Sequence, residues 1–246
     1  MYSIFADFYD QLTYDVDYKK RTDYLLKLFK KYGKKPTLLL DMACGTGGFS
    51  NCFAKQGIEV IGVDMSEEML SIAREKSYEQ ENSVLYLCQK AQELDLYGTV
   101  DGAVCCLDSL NHITDYKTLC KAIEKISLFL EPECLFIFDV NTEYKHREIL
   151  GDNVFVMDRE SVYCVWANKF DKKKNTVKIM LDFFVKEGDN YSRFSEEFVE
   201  RAYSADELES ALEKAGLEIV GIFDDLTEKP LNDKSQRAIY VTKKVK

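Results

Sequence analysis

No apolar run in this 246-residue chain approaches the roughly 20 residues that a bilayer-spanning helix requires, and the candidate over 134–140 ends in charge. The opening residues, MYSIFADFYDQL, lack the basic leader and unbroken apolar core of a secretory signal, so a cytoplasmic location and no membrane partner are expected. Histidine is scarce, with two residues, and the eight cysteines, at 44, 52, 88, 105, 106, 120, 134 and 164, form no CxxC pair. A zinc site needs clustered ligands at recognisable spacing, so no metal is expected and the thiols read as reduced and mostly buried. Basic charge is also short: 33 Lys and Arg face 43 acids, for a net charge of -10. That balance opposes nucleic-acid binding and favours a small-molecule partner; no oligomeric state follows from it.

What is present is an ordinary globular composition, 46% hydrophobic and 31% charged, in a chain long enough for one full-sized core. The spacing of apolar residues predicts strands over 37–42, 58–63, 84–88, 100–106 and 134–140. Helices are predicted over 47–56, 67–80 and 116–130, with room for little more than a turn between 88 and 100. Such alternation points to a buried parallel sheet flanked by helices. From 154 to 200 the pattern changes to runs rich in Val, Tyr, Phe and Trp, broken at 171–175 and 188–190. This predicts three or four antiparallel strands inserted after the fifth strand of the main sheet. Ser204 followed by Glu207 starts a further helix that ends near Gly216, and 218–223 and 238–245 are strand candidates that close the sheet. Ahead of all these lies an aromatic segment with Tyr2, Phe5, Phe8, Tyr9, Tyr14 and Tyr18, then a helical pattern carried by Leu25, Leu28 and Phe29.

The most informative stretch is LLLDMACGTGGFS over 38–50. Glycines directly after a buried strand let the backbone turn tightly and approach a ligand, leaving amides at the next helix start available. The dinucleotide pattern GxGxxG would need a glycine where this chain has Ser50, and GxxxxGK[ST] is absent. Asp41, just before the loop, would repel a pyrophosphate but suits an ammonium group. Asp64, at the end of the next strand, can accept hydrogen bonds from both ribose hydroxyls.

DMACGTG together with EVIGVDMSEEML resembles the first two cofactor motifs of class I S-adenosylmethionine-dependent methyltransferases, with weaker matches across almost the whole chain. The resemblance implies S-adenosylmethionine as cofactor. It also implies an α/β fold, a Rossmann-like three-layer αβα sandwich with a seven-stranded sheet, a reversed last strand and a small antiparallel β-sheet inserted after strand 5. Carried over by residue, Asp41, Ala43, Cys44, Gly45 and Gly47 would hold the methionyl end, and Asp64 the ribose. Met65, Ala91 and Gln92 would border adenine, with Leu107 at the sulfonium end.

After the fourth strand comes LDSLNH over 107–112, where strand-end polar residues form a crevice in open α/β sheets. His112 is the acid-base candidate there, with a satisfied structural histidine as the other reading. YDQLTY over 9–14 resembles the substrate-side motif of small-molecule N-methyltransferases, including those acting on amino sugars. By that resemblance Tyr9 lies beside the cofactor and Tyr14 and His112 are catalytic. Asp108, Asn111, Asn141, Tyr144, Trp166 and Tyr203 are candidates to contact the acceptor. Cys105 and Cys106 are consecutive strand residues and so face opposite ways, which speaks against a paired thiol centre.

The expected organisation is a helical lid over 1–36, a cofactor-binding αβα domain over 37–150 and 201–246, and a β insert over 151–200 above the acceptor pocket. The expected activity is direct-displacement methyl transfer to a small molecule, an amine by preference. A nicotinamide-dependent reductase and a non-enzymatic ligand-binding protein of the same fold are the alternatives.

Overall fold

The computed structural model describes residues 3–245, so Tyr2 lies outside the described residues. The chain opens with α1 (Ser3–Leu12) and α2 (Tyr18–Tyr32), then runs β1 (Leu38–Met42), α3 (Gly48–Ala54), β2 (Glu59–Asp64), α4 (Glu67–Glu79) and β3 (Val84–Cys88). It continues through β4 (Gly102–Cys105), α5 (Tyr116–Phe129) and β5 (Leu135–Asn141). Four strands follow, β6 (Val154–Asp158), β7 (Val162–Asp171), β8 (Thr176–Glu187) and β9 (Asn190–Arg201), before α6 (Ala205–Lys214), β10 (Leu217–Asp224) and β11 (Arg237–Lys244) close the chain.

The main sheet has seven strands in the order β10-β11-β5-β4-β1-β2-β3. Strands β1 to β5 pair in parallel, whereas β11 runs antiparallel to both β5 and β10, giving the reversed last strand. Period-two alternation splits the strand side chains between two cores. Leu39, Val104 and Ile137 face Leu28 and Phe29 of α2 and Phe53 of α3. Leu40, Ala103, Phe136 and Phe138 face Leu119 and Ile123 of α5 and Leu208 and Leu212 of α6. Cys105 belongs to the second core and Cys106 to the first, as consecutive strand residues must. Burial on both faces explains why these strands read as nearly continuous apolar runs.

Helix ends follow local chemistry. Asp17 caps α2 by accepting from Lys20 N at 2.9 Å, and Asp115 caps α5 by accepting from Thr118 N at 2.8 Å. The expected capping box is formed at α6, where Ser204 and Glu207 satisfy each other's backbone N–H groups. The stretch between β3 and β4 holds a 3₁₀ turn, Ala91–Glu93, clasped by the Gln89 side chain, which bonds both N–H and C=O of Asp95.

The insert is a four-stranded antiparallel sheet in sequential order, with two of its three hairpins at the predicted breaks. Its inner face buries Val162, Cys164, Val177, Ile179, Leu181 and Phe183 against Phe5, Phe8 and Leu12 of α1. The two helices within 1–36 therefore do different things: α2 is a layer of the main sandwich, whereas α1 lies against the insert. Among the described residues no helix is long and apolar enough to cross a membrane, and all eight cysteines are free thiols.

Candidate active site

The loop after β1 is built from left-handed residues: φ is +56° at Ala43, +53° at Gly45 and +75° at Gly47. Cys44 N donates to Val63 O and Gly47 N to Cys44 O, each at 3.0 Å, which pins the loop across the end of β2. Gly47 is required twice over, because a Cβ there would stand 2.5 Å from Tyr86 Oη and 3.0 Å from Ala73 Cβ. Gly45 is favoured by its φ alone. A Cβ on it would meet no atom within 4 Å, so its face of the loop is open.

Asp64 accepts Gly45 N on Oδ2 and Ser66 N on Oδ1, both at 2.9 Å. Burial raises its carboxyl above the ordinary value, against the lowering effect of those amides. Each carboxylate oxygen keeps a further lone pair for a ligand hydroxyl. Asp41 lies buried beneath the loop, where Ser50 Oγ donates to it at 2.5 Å. Burial pushes its carboxyl up to about 7, and among the described residues no cation is paired with it.

A cleft of about 540 Å³ opens over this loop. Among the expected cofactor residues Tyr9, Ala43, Gly45, Asp64, Met65, Ala91, Gln92 and Leu107 line it, and so does His112. Asp41, Cys44 and Gly47 are outside that lining; the Cys44 side chain packs with Leu70, Ala73 and Tyr86 instead. Phe5, Ser66, Met69, Gln89, Lys90 and Thr118 complete much of the wall. The cleft suits S-adenosylmethionine on three counts: an open glycine face beside loop amides, a carboxylate at the ribose position, and an apolar Met65 left 60% exposed at the rim. A buried acid without a cation beneath the loop also suits a positively charged ligand.

Beyond Leu107 the chain turns sharply, with φ of +54° at Leu107 and +52° at Asp108. Asp139, near the end of β5, accepts Leu107 N at 2.8 Å and Asp108 N at 2.9 Å. Arg237, which begins β11, pairs with both Asp139 and Asp108. Burial works against ionisation of Asp108, but Arg237, Lys145 and His112 together hold its carboxyl well below the usual carboxylate range.

His112 Nε2 stands 3.6 Å from Glu200 Oε1, and His146 Nε2 stands 3.1 Å from Glu200 Oε2. Ligand atoms of Asp108, His112 and Glu200 all lie within 4.8 Å of one another. That spacing would admit a cation, but the Arg237 guanidinium already occupies Asp108.

The other expected acceptor residues have partners of their own. Asn111 accepts from Asn141 N at 2.9 Å and donates to Asn141 O at 3.2 Å and Arg201 O at 2.8 Å, knitting β5 to the end of β9. Asn141 donates to Glu200 Oε2 at 3.3 Å and accepts from Lys145 Nζ at 2.9 Å. Tyr203 is buried, with its hydroxyl on Ile113 O, and Trp166 donates to Asn168 Oδ1 at 2.6 Å within the insert. Tyr144 precedes the π-helical turn Lys145–Leu150 and is outside the cleft lining. Tyr14 is 68% exposed, away from the cleft lining, with the Arg159 guanidinium 3.7 Å from its ring centre.

Sequence reading missed Asp139, His146, Glu200 and Arg237. Asp139 left one signal, an acid inside an otherwise apolar strand. Glu200 left another: alternation along β9 places it on the same face as Phe198, which packs against the buried face of the insert.

The methyltransferase-domain family matches residues 39–133. Over its whole length the chain is 30% identical to YqeM of Bacillus subtilis (strain 168), a protein named as a methyltransferase, covering 98% of it. It is 34% identical to an S-adenosylmethionine-dependent methyltransferase from Clostridium acetobutylicum ATCC 824, with a TM-score of 0.88 and 98% of each chain covered. The fold is also that of S-adenosylmethionine-bound CalS10, an amino pentose methyltransferase from Micromonospora echinaspora, at 18% identity, a TM-score of 0.76 and 95% of each chain covered.

Proposed function

Because the chain belongs to the class I S-adenosylmethionine-dependent methyltransferases, we propose that it methylates the nitrogen of a small amine by direct displacement. Its being an S-adenosylmethionine-dependent enzyme sets aside the reductase and the non-enzymatic readings. The observation that carries the amine reading is the pairing of His112, on the cleft wall, with the buried carboxylate of Glu200, which has no Lys or Arg ion-pair partner among the described residues.

S-adenosylmethionine supplies a methyl group activated by a sulfonium centre. The task left to the chain is to present an acceptor lone pair in line with it, which is mainly a matter of position and protonation. An ammonium has no lone pair until it loses a proton. The Glu200 carboxylate, with no Lys or Arg paired to it among the described residues, favours a cationic acceptor, and His112 takes the proton. An alcohol acceptor would gain little from a neighbouring negative charge.

In the same reading the amides of 43–47 and Asp64 hold the cofactor, Met65, Ala91 and Gln92 flank its base, and Tyr9 covers it from α1. The insert closes the acceptor end, since Phe198 lies against His112 with ring centres 5.1 Å apart. Tyr14 carries no role in this reading.

Formation of S-adenosylhomocysteine tests it, using purified protein with a panel of small primary and secondary amines and their matched alcohols. Turnover with amines alone is expected, and replacing His112 with Gln should reduce it at least tenfold while leaving S-adenosylhomocysteine affinity unchanged. Turnover confined to alcohols, or undiminished in His112→Gln, would overturn the reading.

A further inference from the structure

We infer that Glu200 is a positioning residue that fixes the proton of His112 on Nε2 and so leaves Nδ1 as the atom that accepts the acceptor's proton; this rests on the reading of His112 as proton acceptor. The chain has two histidines, and both turn Nε2 to this one carboxylate. Glu200 is 4% exposed, and among the described residues its ion-pair partners are those two rings, with no Lys or Arg.

His146 decides the proton arrangement. Its ring is wholly buried and its Nδ1 has no hydrogen-bond partner. A proton on Nδ1 would bury an unpaired N–H and turn a bare Nε2 lone pair against a carboxylate. His146 therefore donates from Nε2 to Oε2, where Asn141 Nδ2 adds a second donor at 3.3 Å. Oε1 is left to His112. At 3.6 Å that contact is longer than a hydrogen bond, and in this inference it shortens to one when the cofactor cleft is filled.

Orientation comes from the same strand. Phe198, two residues before Glu200 and on the same face of β9, lies tilted at 32° to the His112 ring. Asp108 and Asp64 are the other carboxylates whose charge acts on the ring. In the reaction the N–H bond of the ammonium breaks, its electron pair stays on nitrogen, and the proton bonds to Nδ1. The resulting imidazolium is stabilised through Nε2–H by Glu200, the part a buried carboxylate plays behind any catalytic imidazole. The inserted sheet thus contributes to the chemistry as well as to the cover.

Long-range ¹H–¹⁵N spectra of histidine-labelled protein saturated with S-adenosylhomocysteine test this, because two rings give four assignable nitrogens. His112 is expected as the single Nε2–H tautomer in the unmodified protein, and as a mixture in Glu200→Gln. A mixed or Nδ1–H ring in the unmodified protein, which needs no variant to observe, would overturn the inference. So would an unchanged tautomer in Glu200→Gln. With the panel amine that supports turnover, Glu200→Gln should lower kcat 10- to 100-fold, with S-adenosylhomocysteine affinity within twofold, and should add nothing in a His112→Gln background. An undiminished effect there would show Glu200 acting elsewhere. Normal turnover in His112→Gln would instead remove the amine reading, whereas the tautomer result would stand on its own.

Discussion

Arg237 Nη1 is bonded to Asp139 Oδ2 in the buried floor beneath the corner formed by Leu107 and Asp108. Two successive non-glycine residues are left-handed at that corner, each at a cost on the order of 1–3 kcal/mol. Such a conformation persists only when its surroundings over-determine it. Asp139 accepts both backbone amides of the corner, and Arg237 joins Asp139 to the Asp108 side chain. Leu107 lines the cofactor cleft, so the pair fixes a wall of the site from behind.

Replacing Arg237 with Met should therefore destabilise the protein by on the order of 3–5 kcal/mol, since two carboxylates would stay buried without their cation. Urea denaturation would measure it. S-adenosylhomocysteine affinity should fall as well, because the released corner carries Leu107. An unmoved denaturation midpoint would mean that the corner holds itself.

Two glycines of the loop after β1 should respond differently to alanine. At Gly47 the φ of +75° and a Cβ 2.5 Å from Tyr86 Oη act together, so Gly47→Ala should cost on the order of 1–3 kcal/mol or more and weaken binding in parallel. At Gly45 the added methyl meets no protein atom within 4 Å. Gly45→Ala should cost only the backbone strain of a left-handed alanine, about 1 kcal/mol, but lose S-adenosylhomocysteine affinity, because the methyl enters the space left for the ligand. Calorimetry beside thermal denaturation separates the two; equal affinity losses per unit of stability would refute the distinction.

The main sheet was legible because its strands are buried on both faces and punctuated by turn residues. LLLDM and EVIGVD read as strands at nearly their observed bounds. The insert was legible too, because β8 keeps strict alternation over its buried half. What sequence could not divide was the N-terminal segment. Both its helices are amphipathic, and pattern alone does not say that Leu28 and Phe29 meet the main sheet whereas Phe8 and Leu12 meet the insert.

The residues of the loop side of the cleft were legible because they are local: loop, strand end and helix start lie close together in sequence. The proposed acceptor side is assembled from distant pieces. His112, His146 and Glu200 come from three separate segments, and in the string EEFVER strand parity sets Glu200 apart from Glu197 but not from Glu196, which shares its face. Aromatic residues misled for a related reason. Tyr203, buried, and Trp166, half-buried, have polar tips that find partners inside the fold, so their placement reflects packing.

Asp64 offers a direct test of the cofactor contacts. Asp64→Ala removes an acceptor from Gly45 N and Ser66 N and from any ligand hydroxyl, so S-adenosylhomocysteine affinity should drop roughly 10- to 100-fold, the range for charge-assisted hydrogen bonds. Asp64→Asn, which keeps one carbonyl oxygen, should lose less. Near-normal calorimetric affinity in folded Asp64→Ala would remove the ribose role.

Asp41 makes stability depend on pH in a direction that can be stated. Burial raises its carboxyl from 3.8 to about 7, so the folded protein holds this proton more tightly than the unfolded chain does. The resulting stabilisation is fully present below about pH 4 and is lost as pH rises through 7; a shift of this size corresponds to on the order of 4 kcal/mol. Asp64 is shifted in the same direction, so the wild-type slope mixes both groups. Comparing wild type with Asp41→Asn isolates one: the variant should gain relative stability steadily between pH 4.5 and 8, measured by denaturant midpoints. A cationic ligand above the loop should reverse the preference and expel the proton. Titrating S-adenosylmethionine near pH 6.5 in buffers of different ionisation enthalpy should then show proton release in the wild type and a smaller release in Asp41→Asn. A pH-independent difference in stability, with equal proton release, would mean that Asp41 stays ionised throughout, held by Ser50 alone.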